Sequence, residues 1–119
     1  DMLTNAGLTK FAQTLAPLEY YIAVGSGDPT ATNPAAAPED TALVDEFVRQ
    51  SFTQFTQVGP VLTGNVTVTL VGDKQIREFG VLVGATGGTL VERITVAEAN
   101  GVDGDTLTIG WSLEVKRAS

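Results

Sequence analysis

The sequence predicts a mainly β fold: an antiparallel β-sandwich or barrel-like domain of five to six strands with one short N-terminal α-helix. Three observations point there. Apolar residues recur at period two along most of the chain, the runs are separated by short turns rich in Gly and Asp, and only the first segment carries helical spacing. With 119 residues the chain has the size of one domain, residues 1–119. A domain of that length hides only about two thirds of its unfolded surface, so association with copies of itself is an expectation from the outset.

The helix is predicted over residues 3–16, where Leu3, Leu8, Phe11, Ala12 and Leu15 fall roughly on one face. Thr4 or Asn5 can cap its start, and Pro17 stops it by turning Ala16 away from helical dihedrals. A strand over residues 20–24 ends at Gly25-Ser26-Gly27. Residues 28–40 hold three prolines, Pro29, Pro34 and Pro38, among small side chains with no apolar rhythm. This is a loop longer than ordinary connections, and long enough to serve as an arm on a neighbouring subunit. Residues 41–46 are predicted as one helical turn capped by Asp40 or Thr41, with Ala42 and Leu43 packed inward.

Residues 47–57 alternate as one long, rather polar strand, and residues 65–71 as the next, closed by Gly72-Asp73. Residues 76–83 form a strand that is apolar on both faces, Phe79, Val81 and Val83 on one and Ile76 and Leu82 on the other. Residues 85–88 turn, 90–97 form a strand and 100–104 turn again. The last strand, 106–115, is the clearest: Leu107, Ile109, Trp111, Leu113 and Val115 face one way and Thr, Gly, Ser and Glu the other.

Charge and composition exclude several function classes. Fourteen acidic against seven basic side chains give a net charge of −7, and the Lys and Arg form no basic stripe, which argues against nucleic acid and against anionic membranes. No Cys and no His removes disulfides, thiolate metal sites and the commonest general base. Apolar runs stay well short of the roughly 20 residues that cross a bilayer, and the start lacks the features of a signal peptide, so a soluble chain made in the cytoplasm is expected.

Candidate chemistry is sparse. Gly25-Ser26-Gly27 could cradle a phosphate, but such a loop is followed by a helix, and here Asp28-Pro29 follows; a structural turn is the better reading. Asn100, Asp103 and Asp105 could surround a calcium ion, though their spacing completes no calcium loop and suits a hairpin turn. Glu39, Asp40, Asp45 and Glu46 read as a solvated acidic face. No two carboxylates are set apart as acid and base, so no catalytic residue, metal ligand or cofactor is expected. Asn65-Val66-Thr67 satisfies a glycosylation sequon incidentally. The anomaly is Arg77-Glu78 inside an apolar strand, since charges there must be paired or sit at a boundary. Glu78 can pair with Arg49 or Arg93, as a cross-strand pair or as a subunit contact.

The landmarks LTNAGL, IAVGSG, DTALVDEFVRQ, IREFGVLV, GGTLVER and DTLTIGWSLEV, in that order over nearly the whole chain, resemble the N-terminal module of phage tail-collar and tail-fibre proteins. Thr4, Asn5, Ala6, Gly7, Gly25, Gly27, Thr41, Ala42, Leu43, Glu46, Arg49, Ile76, Arg77, Glu78, Gly80, Leu82, Leu107 and Ile109 fall on that family's pattern; Phe79 and Val83 depart from it. The resemblance implies an attachment module at the root of a fibre, which joins it to tail or baseplate. With the chain ending soon after Arg117, no shaft or receptor-binding tip is expected to follow.

The resulting expectation is a virion structural protein, made in the host cytoplasm, that works by assembly rather than catalysis. Its partners would be copies of itself, with a trimer favoured, and other virion proteins of tail or head. Arg49, Arg77 and Glu78, the outward apolar face of Phe79, Val81 and Val83, and the arm with Pro29, Pro34 and Pro38 are the expected contacts. Capsid decoration is the alternative reading, and a small carbohydrate-binding or carboxylate hydrolase domain the second.

Overall fold

A computed structural model describes residues 2–27, 35–52 and 54–118. Among the described residues one helix and seven strands follow in order: α1 (Asn5–Leu15), β1 (Tyr20–Gly25), β2 (Glu46–Ser51), β3 (Gln54–Val58), β4 (Val61–Thr69), β5 (Lys74–Val83), β6 (Thr89–Gly101) and β7 (Thr106–Glu114). They build two antiparallel sheets, β2-β1-β5-β6 and β3-β4-β7, packed face to face as a sandwich. The predicted β-sandwich with an N-terminal helix is thus the observed fold.

The helix starts where the sequence indicates. The Thr4 hydroxyl accepts a hydrogen bond from the Gly7 N–H at 3.0 Å and closes the first turn. Its inward face is narrower than the spacing predicts: Leu8 and Ala12 are buried, while Leu3 and Phe11 are about half exposed. The reason is that α1 caps one end of the smaller sheet and has only one partner surface.

The core is sequence-local on each strand and tertiary only in its sum. Tyr20, Ile22 and Val24 of β1 meet Val66, Val68 and Leu70 from β4 and its end, while Val81 of β5 joins Ile109 and Trp111 of β7. Each side chain belongs to the period-two set facing inward. An aromatic cluster closes the end near α1, with the Tyr20 and Phe55 ring centroids 4.8 Å apart and Tyr20 and Trp111 5.4 Å apart.

Two predicted elements come out differently. The run 47–57 is not one strand but two, in different sheets. At the break the Phe52 N–H donates to the Tyr20 carbonyl and its ring turns into the aromatic cluster, so the chain crosses from one layer to the other without losing its alternation. Residues 41–45 form no helical turn; they lie as a bent segment whose N–H groups serve another partner, described below. Two strands also run longer than expected, β4 from Val61 and β6 to Gly101. Gly64 belongs to β4 because the Phe52 and Phe55 rings occupy the space a side chain there would need.

Candidate functional site

Of the charged residues singled out by the sequence, Arg77, Glu78 and Arg93 meet where β1 ends against β5, while Arg49 reaches the turn that follows β5. Gly25 stands opposite Glu78 in the β1–β5 register. A Cβ at Gly25 would lie 2.5 Å from Glu78 Oε2 and 2.7 Å from the Asp45 carbonyl, so only glycine lets the segment before β2 approach so closely. Gly80 gives the same room to Leu43, which packs over Ala23 and Leu82.

Glu78 is fully buried. Its Oε1 accepts from the Val44 N–H at 2.9 Å and from Arg93 Nε at 3.1 Å; its Oε2 accepts from the Asp45 N–H at 2.8 Å and the Gly27 N–H at 3.0 Å. Burial pushes this carboxyl's pKa up, but the N–H groups of Asp45 and Val44, the Arg93 guanidinium and the Gly27 N–H together outweigh it and hold the pKa below the ordinary glutamate value. Arg93, itself buried, extends the network to Asp40 at 3.2 Å, and Asp40 also accepts from the Ala37 N–H at 2.9 Å. The Ala37 N–H first, then Arg93, lower the Asp40 pKa against its desolvation.

This arrangement is a latch. Four donors from three separate stretches of chain satisfy one carboxylate, so each half of Gly25-Ser26-Gly27 and the 41–45 segment are tied to β5. Gly25-Ser26-Gly27 is structural, the reading preferred over a phosphate cradle, and its Gly27 N–H serves the chain's own Glu78. Of the two partners the sequence allowed, Glu78 takes Arg93. Arg49 instead holds both oxygens of Glu46, at 2.8 and 2.7 Å, and donates to the carbonyls of Gly84 and Gly87 at 3.0 and 2.9 Å. Its guanidinium pKa is raised chiefly by the hydrogen bonds to Glu46. Arg77 donates to the Ser26 carbonyl at 2.8 Å, to Gln75 at 3.0 Å and to Glu98.

The expected outward apolar face is corrected by this geometry. Val81 is 2% exposed and, with Val83 and Phe79, packs between the sheets. The opposite face of β5 is covered as well, since Leu82 lies under Leu43 and Leu90. The two-sided apolar pattern is therefore consumed within one chain: one face meets the other sheet and the other meets the latched segment. Of the arm residues, Pro38 is exposed at a turn, and Pro29 and Pro34 lie outside the described residues.

The remaining candidate chemistry is also structural. Asp103 accepts from the Gly72 N–H at 2.7 Å, Asp105 from the Val102 N–H at 2.9 Å, and Asp73 from the Asp103 N–H at 3.1 Å, so these carboxylates tie turns. Among the described residues no group of three or more His, Cys, Asp or Glu is placed to hold a metal ion. Sequence reasoning missed the backbone donors of Val44 and Asp45, because their role depends on a strand 33 and 34 residues away. The available signal was the pairing of a glycine turn with a glutamate in an apolar run. The chain matches no family model, and no curated protein matches it.

Proposed function

We propose that this chain is a phage virion structural protein, an attachment or adaptor module of the tail, collar or baseplate, acting through protein–protein assembly rather than catalysis. The observation that carries this reading is where the family-like motifs meet. IAVGSG, DTALVDEFVRQ and IREFGVLV are far apart in sequence and come together on Glu78 through Gly27, Val44 and Asp45, with Leu43 seated over Gly80. A pattern read only from its order along the chain thus corresponds to one packed unit. A fully buried, four-fold satisfied carboxylate suits a rigid building block. The chain's own copies and other virion proteins are the partners proposed.

The test is immunogold labelling of intact virions from cells that carry the gene, using an antibody raised against this chain. Grains at the tail end support the reading. Grains spread over the head move the function to capsid decoration, and virions without grains remove it from the particle altogether.

A further inference from the structure

Among the described residues the two sheets differ by one strand, and those residues leave the sandwich open on one side. The β2-β1-β5-β6 sheet has four strands and the β3-β4-β7 sheet three. Ile109 and Trp111 of β7 pack over Val81 and Phe79 of β5, so β7 ends the smaller sheet before it reaches β6. Ile94, the partner of Phe79 in the β5–β6 register, is 47% exposed, and Val96 is 37% exposed. A cleft of about 110 Å³ opens there, walled by Phe79, Ile94, Ile109 and Trp111 beside the exposed Glu92. On this same side β6 and β7 each present an edge that pairs with no further strand among the described residues.

We propose that another copy of this chain fills the seam, with the free edge of β7 pairing with the free edge of a neighbour's β6, and the reverse. The inference takes the identity of the occupant from the assembly reading above. Each copy has one strand too many in one layer and one too few in the other, so a neighbour turned about an axis along the strands supplies what is missing. Two β7 edges cannot meet, because β6 of each copy projects past β7 in the facing layer. A seam as long as the nine residues of β7 runs about 30 Å and is as deep as two packed sheets with their side chains, about 20 Å. That comes to about 600 Å² per copy and about 1,200 Å² in total, inside the range of stable specific interfaces.

The edges fit this use unequally. β7 runs in unbroken register along β4 with no proline, lysine or bulge to protect it, which is an open invitation to pairing. β6 is irregular at Val91 and again opposite Arg77, and its regular stretch is Glu92 to Thr95, centred on the exposed Ile94. Pairing at that stretch puts Ile94 of each copy next to the symmetry axis. This reciprocal pairing closes as a two-fold pair.

The experiment is the solution mass of the full chain by light scattering, with variants. Wild type is expected at twice the 12.4 kDa of one chain. Ile94→Arg is expected at 12.4 kDa with an unchanged β circular dichroism spectrum. Because the chain has no cysteine, Ile94→Cys provides a second reading that needs no loss of fold. It should form inter-chain disulfides on mild oxidation, and Val58→Cys, exposed at the end of β3 on the opposite edge of the smaller sheet, should not. A monomeric wild type, an Ile94→Arg variant that keeps the wild-type mass, or cross-linking at position 58 but not 94 overturns the proposal. A monomer that still labels virions would refute the seam and leave the virion reading standing; an oligomer joined at position 94 with no virion label would do the opposite.

Discussion

At the scale of single residues, Glu78 governs more of this molecule than any other side chain. It replaces, with one carboxylate, the backbone partners that residues 27, 44 and 45 would otherwise lack. Glu78→Ala would take the acceptor from the N–H groups of Gly27, Val44 and Asp45 and from Arg93 Nε, whose guanidinium keeps Asp40, and breaking a buried pair of this kind costs about 3–5 kcal/mol. Urea unfolding at neutral pH is the measurement. The pH dependence has a definite sign. Glu78 has a folded pKa below its ordinary value of 4.5, so its stabilising contribution is complete above that value and is lost as pH falls through the depressed folded value. Asp40 shifts in the same direction and adds to the slope. Denaturation midpoints followed down past pH 4.5 should therefore fall steadily in wild type and less steeply in Glu78→Gln.

At the scale of elements, the crossing between β2 and β3 is the decisive joint. Phe52 ends one sheet, starts the other and packs its ring 5.7 Å from Phe55 and 6.0 Å from Trp111. Phe52→Ala should cost about 2–3 kcal/mol, less than a fully buried phenylalanine because this ring is only partly covered. The single Trp111 reports on the same cluster, so its emission should shift toward the red in that variant before global unfolding. A variant with unchanged emission would mean that the cluster does not depend on the joint.

At the scale of the whole molecule, shape and charge set how copies meet. The radius of gyration is 15.8 Å, against about 13.5 Å for a compact chain of this length, and the extents are 51 × 28 × 23 Å. An elongated sandwich with one side unfilled has more edge than a closed one. Each copy also carries a net charge of −7, so copies repel at low salt. Raising ionic strength from about 0.01 M to about 0.15 M shortens the screening length from about 30 Å to about 8 Å. Assembly should strengthen over that range in sedimentation runs; weakening would place ion pairs rather than apolar contacts at the interface. Deleting residues 29–38 should leave the fold intact, because Asp40 keeps its hold on Arg93 and shortening the connection about six-fold changes closure entropy by only about 1–2 kcal/mol. The same deletion should raise the concentration needed for assembly; an unchanged value takes the arm out of the interface.

Period and punctuation in the sequence were enough to determine the elements. Alternation places Tyr20, Ile22, Val66, Val68 and Ile109 inward whatever their partners, Thr4 caps α1 through a bond three residues away, and Gly72-Asp73 turns wherever it stands. These are local or one-dimensional facts, and a sequence carries them in full. What only the tertiary structure decided is every choice among partners. Alternation is identical whether a strand continues or changes sheet, so the break at Phe52 was illegible. A strand apolar on both faces reads the same whether a neighbouring molecule or its own chain covers it, and here Leu43 covers it. Glu78 could have met either of two arginines; the β5–β6 register sets Arg93 beside Glu78 at 3.1 Å, while Arg49 is held by Glu46. Pairings of this kind depend on distances between residues remote in sequence, and those distances exist only once the sheets have formed.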